Sequence, residues 1–208
     1  KGRGPREMRR KMKFGLGNSQ ADNNFTLNQK QMIDTSGIMI SPVRVVYLRM
    51  NQVPIFTMPE REHIKFMLRR RPISVRQYRD WYYGVGKFWN WVDRLLISDE
   101  ELLSLINAHD TEIFIMQVNG RQAGFAEFVI KDDHVEIQYF GLFPEFIGKG
   151  LGKYFLYWVI NRAWSYKPKW IQLNTCELDH HNALGVYRSM GFMVERTSIE
   201  MRKVLPIE

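Results

Sequence analysis

Asn119-Gly120 stands between two runs, Ile113–Val118 and Gln122–Ile130, and no other feature restricts the fold as tightly. Both turn positions of a two-residue hairpin need positive φ, which Asn-Gly supplies, so the flanking runs pair as antiparallel strands. Asp132-Asp133 turns the chain again, and Val135–Phe143 follows as a third strand. A meander of this kind demands a sheet, and the other elements must pack around it.

Val43–Met50 (VRVVYLRM), bounded by Pro42 and Asn51, reads as an earlier strand. Pro59 is placed to open a helix through about Leu68, because Pro is tolerated at the first helical position. Val75, Tyr78, Tyr82, Val85, Trp89 and Val92 fall at helical spacing, with Gly84 and Gly86 predicting a kink or break. Ser98 with Glu101 is a capping box opening a helix to about Ala108. After the meander, Phe155, Leu156, Val159, Ile160 and Ala163 line one face of a helix from about Gly150 to Tyr166. Trp170–Cys176 is a strand, Ala183–Met190 a short helix stopped by Gly191, and Phe192–Val204 the last strand. This order predicts an α/β fold with a mixed, mainly antiparallel sheet flanked by helices, and no Rossmann succession.

The chain has 208 residues, 45% hydrophobic and 25% charged, which suits one domain with an extension. Its net charge of +8 is concentrated: Lys1, Arg3, Arg6, Arg9, Arg10, Lys11 and Lys13 face only Glu7. Residues 1–35 are accordingly expected to be a basic, flexible extension, and residues 36–208 the domain. Any nucleic-acid contact would run through that tail. Cys176 is the single cysteine, which excludes an intrachain disulfide framework and a cysteine metal cluster. No H-E-x-x-H is present either, so no metal is expected. No apolar run approaches the roughly 20 residues that span a bilayer. A cytoplasmic protein with no membrane partner, monomeric or homodimeric, is the expectation.

The most specific segment is Phe143-Pro144-Glu145-Phe146-Ile147-Gly148-Lys149-Gly150-Leu151-Gly152-Lys153, which follows a strand and opens a helix. Its glycines let backbone N–H groups approach a ligand, and the helix N-terminus adds positive potential, as a pyrophosphate requires. It is neither a Walker loop nor G-x-G-x-x-G. A tight strand-to-helix turn is the alternative.

This segment resembles the pyrophosphate loop of the GNAT acyl-CoA N-acyltransferases, [QR]-x-x-G-x-[GA], with Gly150 and Gly152 at its small positions and Ile147 where Gln or Arg is usual. Ala183, Tyr187, Gly191 and Phe192 are similar to the second signature of that superfamily; His180 replaces its usual Asn, with Asn182 nearby. The resemblance implies the GNAT fold, acetyl-CoA as co-substrate, and transfer of acetyl to a primary amine of a small molecule or peptide. It assigns Leu142, Phe143, Gly148, Lys149, Gly150, Leu151, Gly152, Lys153 and Asn182 to the cofactor, with the Phe143 N–H polarising the thioester carbonyl. It implies Glu136 as general base and Tyr187 as general acid.

The residues leave alternatives open. Glu136, Gln138 and Phe140 alternate onto one face, opposite Val135, Ile137 and Tyr139, so Glu136 is equally a solvated strand residue. Tyr187 also fits a core position. Tyr78, Tyr82 and Trp89 either pack in a core or line an acceptor pocket, where Asp80 and Asp93 could meet a cation. His180 and His181 could contact ligand or solvent. Cys176 suits a small buried hydrophobe better than a nucleophile. Two further functions remain: acetylation of an RNA-linked or protein amine, and an acyl-CoA-binding module without catalysis.

Overall fold

The computed structural model describes residues 37–205. The basic extension expected at the N-terminus lies outside them. Seven strands form one sheet in the order β2-β3-β4-β5-β6-β1-β7: β1 Met39–Met50, β2 Ile64–Leu68, β3 Thr111–Val118, β4 Arg121–Ile130, β5 His134–Leu142, β6 Trp170–Cys176 and β7 Met193–Val204. Among the described residues five α-helices accompany it: α1 Val75–Gly86, α2 Asp93–Leu96, α3 Asp99–Ile106, α4 Leu151–Trp164 and α5 Ala183–Ser189. Every strand pair is antiparallel except β5 with β6.

The meander forms as its turn chemistry dictates. Asn119 and Gly120 hold φ of 49° and 77°, the pair of positive values a two-residue hairpin needs. Ser98 accepts the Glu101 N–H at 3.1 Å and starts α3. Ser74 caps α1 in the same way, accepting from the Gln77 N–H at 3.2 Å.

Alternation along the strands divides the core between the two faces. On one face Phe155, Leu156, Val159 and Ile160 of α4 pack with Leu48, Phe114, Phe128, Ile137 and Leu173. On the other, Tyr78, Trp81, Tyr82 and Val85 of α1 and Leu102 and Ile106 of α3 pack with Ile113, Ile115 and Phe125.

Four expectations are corrected. Residues 64–68 are a strand, not the end of a helix: Ile64 and Phe66 enter the core as β2 pairs with β3, and this pairing outweighs the helix start at Pro59. The first strand begins before Pro42, at Met39; its pairing with β6 starts only at Val45, so Pro42 interrupts no ladder on that side. Helix α1 runs through Gly84 without a break. A Cβ at Gly84 would stand 2.4 Å from the Phe143 ring, and one at Gly86 2.3 Å from Trp91 Cβ, so both glycines serve close packing. Finally, the face alternation of β5 does not hold, because the β4–β5 register shifts: Phe128 pairs with Ile137 but Glu127 pairs with Tyr139. Gln138 is the extra residue of a β-bulge. Beyond it Phe140 shares the core face of Val135 and Ile137, and Tyr139 turns toward α1.

This bulge positions the site. The parallel pairing of β5 with β6 covers only His134–Trp170, Val135–Ile171 and Glu136–Gln172. A bulged strand bends, and from Ile137 and Leu173 onward the two strands no longer pair. The sheet opens there into a wedge.

Candidate active site

A cavity of about 440 Å³ fills the wedge. Its size is that of a small-molecule site. Ile137–Phe140 and Leu142 of β5 form one wall, and Leu173, Asn174 and Cys176 of β6 the other. Ala183, Val186 and Tyr187 of α5 close the side between them.

One end of the cavity is the glycine-rich loop. The 3-10 turn Pro144–Phe146 leads into it, and buried Phe146 anchors it to the core. Gly148 and Gly150 have φ of +77° and +68°, a left-handed conformation that a side chain disfavours. No atom lies within 4 Å of a Cβ built at either, so the loop presents bare backbone. Gly150 is the N-cap of α4 and provides no side-chain bond to it. The first-turn N–H groups of Leu151, Gly152 and Lys153 therefore retain capacity for an external anion. A pyrophosphate fits this arrangement. Ile147, Gly148, Gly152 and Lys153 line the cavity; Lys149 and Gly150 are exposed beside it, and the Leu151 side chain enters the core. Ile147 is 36% exposed and contributes no polar group where the superfamily pattern has one.

Of the residues assigned from sequence, Leu142, Tyr187, Asn182, Tyr82 and Trp89 also line the cavity. Glu136, Phe143 and Tyr78 do not. Glu136 sits in the paired end of β5, opposite Gln172, before the strands part. The Phe143 N–H donates to the Ala123 carbonyl at 2.9 Å and is not available to polarise a carbonyl. Successive N–H groups of a strand point to opposite edges. Those of Phe140 and Leu142 consequently face the open side of β5. Tyr78 is fully buried beneath the cavity, where its hydroxyl donates to Glu127 at 2.5 Å.

Tyr187 is half-buried at the cavity wall. Desolvation, and secondarily the charge of Asp179, pushes its pKa well above the usual phenol value. It therefore keeps its proton through the physiological range. Cys176 shows the same bias: burial first and Asp179 second raise its pKa, holding it as a thiol rather than a nucleophilic thiolate.

Asp179, which sequence reasoning passed over, organises the loop after β6. Its Oδ2 accepts from the Thr175 hydroxyl at 2.7 Å and the Cys176 N–H at 2.9 Å, and its Oδ1 from the Trp91 indole N–H at 3.2 Å. Its only sequence signal was a carboxylate closely following a strand. The His180 ring lies tilted against Trp89 with centroids 5.0 Å apart, while His181 is exposed. Asn90, Trp91, Asp93, Tyr139, Arg202 and Lys203 complete the second end. Asp80, paired with Asp93 in the sequence reading, lies instead by a separate hollow with Trp81 and Gln122.

Beneath that end is a buried ion pair. Glu127, 1% exposed, meets Arg94 at 2.9 Å and receives the Tyr78 hydroxyl. Burial raises the Glu127 pKa, while Arg94 and the Tyr78 hydrogen bond oppose the rise. Arg94 also faces the Tyr139 ring at 5.5 Å. Among the described residues no group of three or more His, Cys, Asp or Glu could hold a metal, and no helix is long and apolar enough to cross a membrane.

Known proteins share this architecture. A GNAT-family acetyltransferase from Sphaerobacter thermophilus superposes with a TM-score of 0.57 at 14% identity, covering 90% of this chain and 58% of that one. A conserved Staphylococcus epidermidis protein of unknown function gives 0.57 at 16%, covering 90% and 78%. An aminoglycoside acetyltransferase from an uncultured soil metagenomic sample gives 0.52 at 12%, covering 69% and 97%. At such identities these likenesses establish the fold alone. No curated protein matches the sequence. The family description "Acetyltransferase (GNAT) family" matches residues 74–192, more than half of the chain and all of the cavity lining except Arg202 and Lys203. With the glycine loop, the opened sheet and this match in place, the chain belongs to the GNAT acetyltransferase family.

Proposed function

We propose that the protein is an N-acetyltransferase that moves acetyl from acetyl-CoA to a primary amine by direct attack. One observation carries this reading: a single cavity joins the open glycine backbone at the start of α4 to the parted edge of β5 and to Tyr187. Acetyl-CoA, when bound, supplies an acetyl group activated as a thioester. Gly148 and the first turn of α4 would hold its phosphates. The N–H groups of Phe140 and Leu142 would donate to the thioester carbonyl as it is polarised, a contribution of about 3–4 kcal/mol for a well-placed donor. Tyr187 holds a proton for the departing sulfur. The amine forms one C–N bond as the C–S bond breaks. Of the two protons that an ammonium loses on becoming an amide, one replaces the proton given by Tyr187 and one leaves to solvent.

Direct attack is favoured over an acyl-enzyme because Cys176 is held protonated. Glu136 stands apart from the cavity, so the base is reached through water or is another group. The test is release of CoA thiol with formation of an acetylated amine, using a library of primary amines. Amine-dependent thiol release, reduced in Tyr187→Phe, is expected. Acetyl-CoA binding with no turnover on any amine would favour an acyl-CoA-binding module without catalysis, a reading to which the apolar Ile147 lends some support.

A further inference from the structure

The second end of the cavity is built differently from the first. Tyr82, Trp91 and Tyr139 meet ring against ring, with centroids 5.5 Å apart for Tyr82–Trp91, 5.2 Å for Trp91–Tyr139 and 4.9 Å for Tyr82–Tyr139. All three line the cavity, and Trp89, braced by His180, adds a fourth ring. The set is fixed in place: Asp179 holds the Trp91 indole, and the buried Glu127–Arg94 pair lies behind Tyr139.

Two carboxylates face this end, and they are not equivalent. Asp179 is occupied by Thr175, Cys176 and Trp91. Asp93 makes no hydrogen bond or salt bridge among the described residues, yet it lines the same cavity as the four rings. The cations of this end come from β7. Arg202 is paired with Glu200 at 2.8 Å and also feels the charge of Asp93, and Lys203 is exposed. A carboxylate that no hydrogen bond or salt bridge occupies, set beside aromatic faces, suits an ammonium, and the faces themselves favour either a flat ring or a cation. The cavity of about 440 Å³ must also hold the acyl end of the co-substrate, which restricts the acceptor to a small body.

We infer that the acceptor is a small primary amine carried on a planar aromatic body of one or two rings, with Asp93 receiving its ammonium and Trp89, Trp91, Tyr82 and Tyr139 enclosing its ring. The inference rests on the N-acetyltransferase reading and specifies its substrate class. The further ammonium groups of a polyamine would meet Arg202 and Lys203 at this end, and aminoglycosides would bring hydroxyl groups to the rings.

The experiment compares tryptamine, 2-phenylethylamine, spermidine and kanamycin as acceptors for the full chain, reading thiol release and the mass of the product. At least one aromatic amine is expected to exceed the other two in kcat/KM by at least about tenfold. Asp93→Asn is expected to raise KM for that amine about tenfold, with Asp93→Glu recovering part of the loss. Trp89→Ala is expected to lower kcat/KM for tryptamine more than for butylamine. Calorimetric binding of acetyl-CoA, measured on each variant, reports whether it has folded with its cofactor end intact. Preference for spermidine or kanamycin, or an unchanged KM in a folded Asp93→Asn, would overturn the inference. If the wild type binds acetyl-CoA but acetylates neither aromatic amine, the acceptor class fails alone. If it does not bind acetyl-CoA, the N-acetyltransferase reading fails with it.

Discussion

Tyr187 was assigned as general acid by its place in a motif, and its position at the cavity wall leaves its hydroxyl protonated. Because desolvation raises its pKa, the hydroxyl is protonated below its folded pKa and is lost as donor only above the usual phenol value near 10. The kcat–pH profile is therefore expected to show no alkaline decline from this group between pH 7 and about 10. Tyr187→Phe should lower kcat by about 100-fold, as for loss of a general acid, with acetyl-CoA affinity retained. An unchanged kcat would assign the ring to packing. Glu127 carried no motif and was invisible in the sequence as a buried ion, because only the fold brings Arg94 over it. Glu127→Leu leaves Arg94 without its partner and should destabilise by about 3–5 kcal/mol. The double variant Glu127→Leu/Arg94→Met should lose much less. Denaturant titration of the three proteins separates these outcomes. A double variant as unstable as the single one would mean that the pair is net stabilising.

Local chemistry determined several elements almost completely. The Asn119-Gly120 hairpin, the Ser98 cap and the apolar face of α4 formed as their residues required. Elements that depend on a distant partner were less legible. The β2 strand needed β3 beside it, and the bulge at Gln138 needed the register of β4, neither of which appears in a local pattern. This explains why Leu142 was found at the site but Phe143, one residue on, was given a role its hydrogen bond excludes. Glycines show the same distinction. Gly84→Ala meets the Phe143 ring at 2.4 Å and should destabilise by about 1–3 kcal/mol. Gly185→Ala, in α5 with open space around it, should stabilise by roughly 0.5–1 kcal/mol. Opposite shifts in Tm would confirm both, and shifts of the same sign would contradict the packing described. The β1–β7 pair offers a pH test. The Tyr47 hydroxyl bound to Glu200, with Ser198 and Arg202 assisting, depresses the Glu200 pKa. A depressed carboxyl stabilises above its unfolded pKa, near 4.3, and that contribution is lost as pH falls through the lower folded value. Glu200→Gln should thus lower Tm slightly at pH 7 and have little effect once the pH lies well below the folded value. A difference that persists at low pH would exclude the ionised form as its source.

At the scale of the molecule, β1 is the feature that sequence order concealed. The earliest strand lies between β6 and β7, so both ends of the described chain build one half of the sheet, and β7 delivers Arg202 and Lys203 to the cavity. What unites the architecture is a sheet whose two halves part at one bulge, with an open helix start at one end of the gap and an aromatic enclosure at the other. The account stands on the first of these ends. Calorimetric titration of acetyl-CoA into the wild type and into Gly150→Asp and Gly152→Asp tests it most directly, because each change places a carboxylate where the phosphates are to lie. Micromolar binding to the wild type, lost in both folded variants, is the predicted result. A folded wild type that does not bind, or variants that bind as tightly as the wild type, would contradict the account.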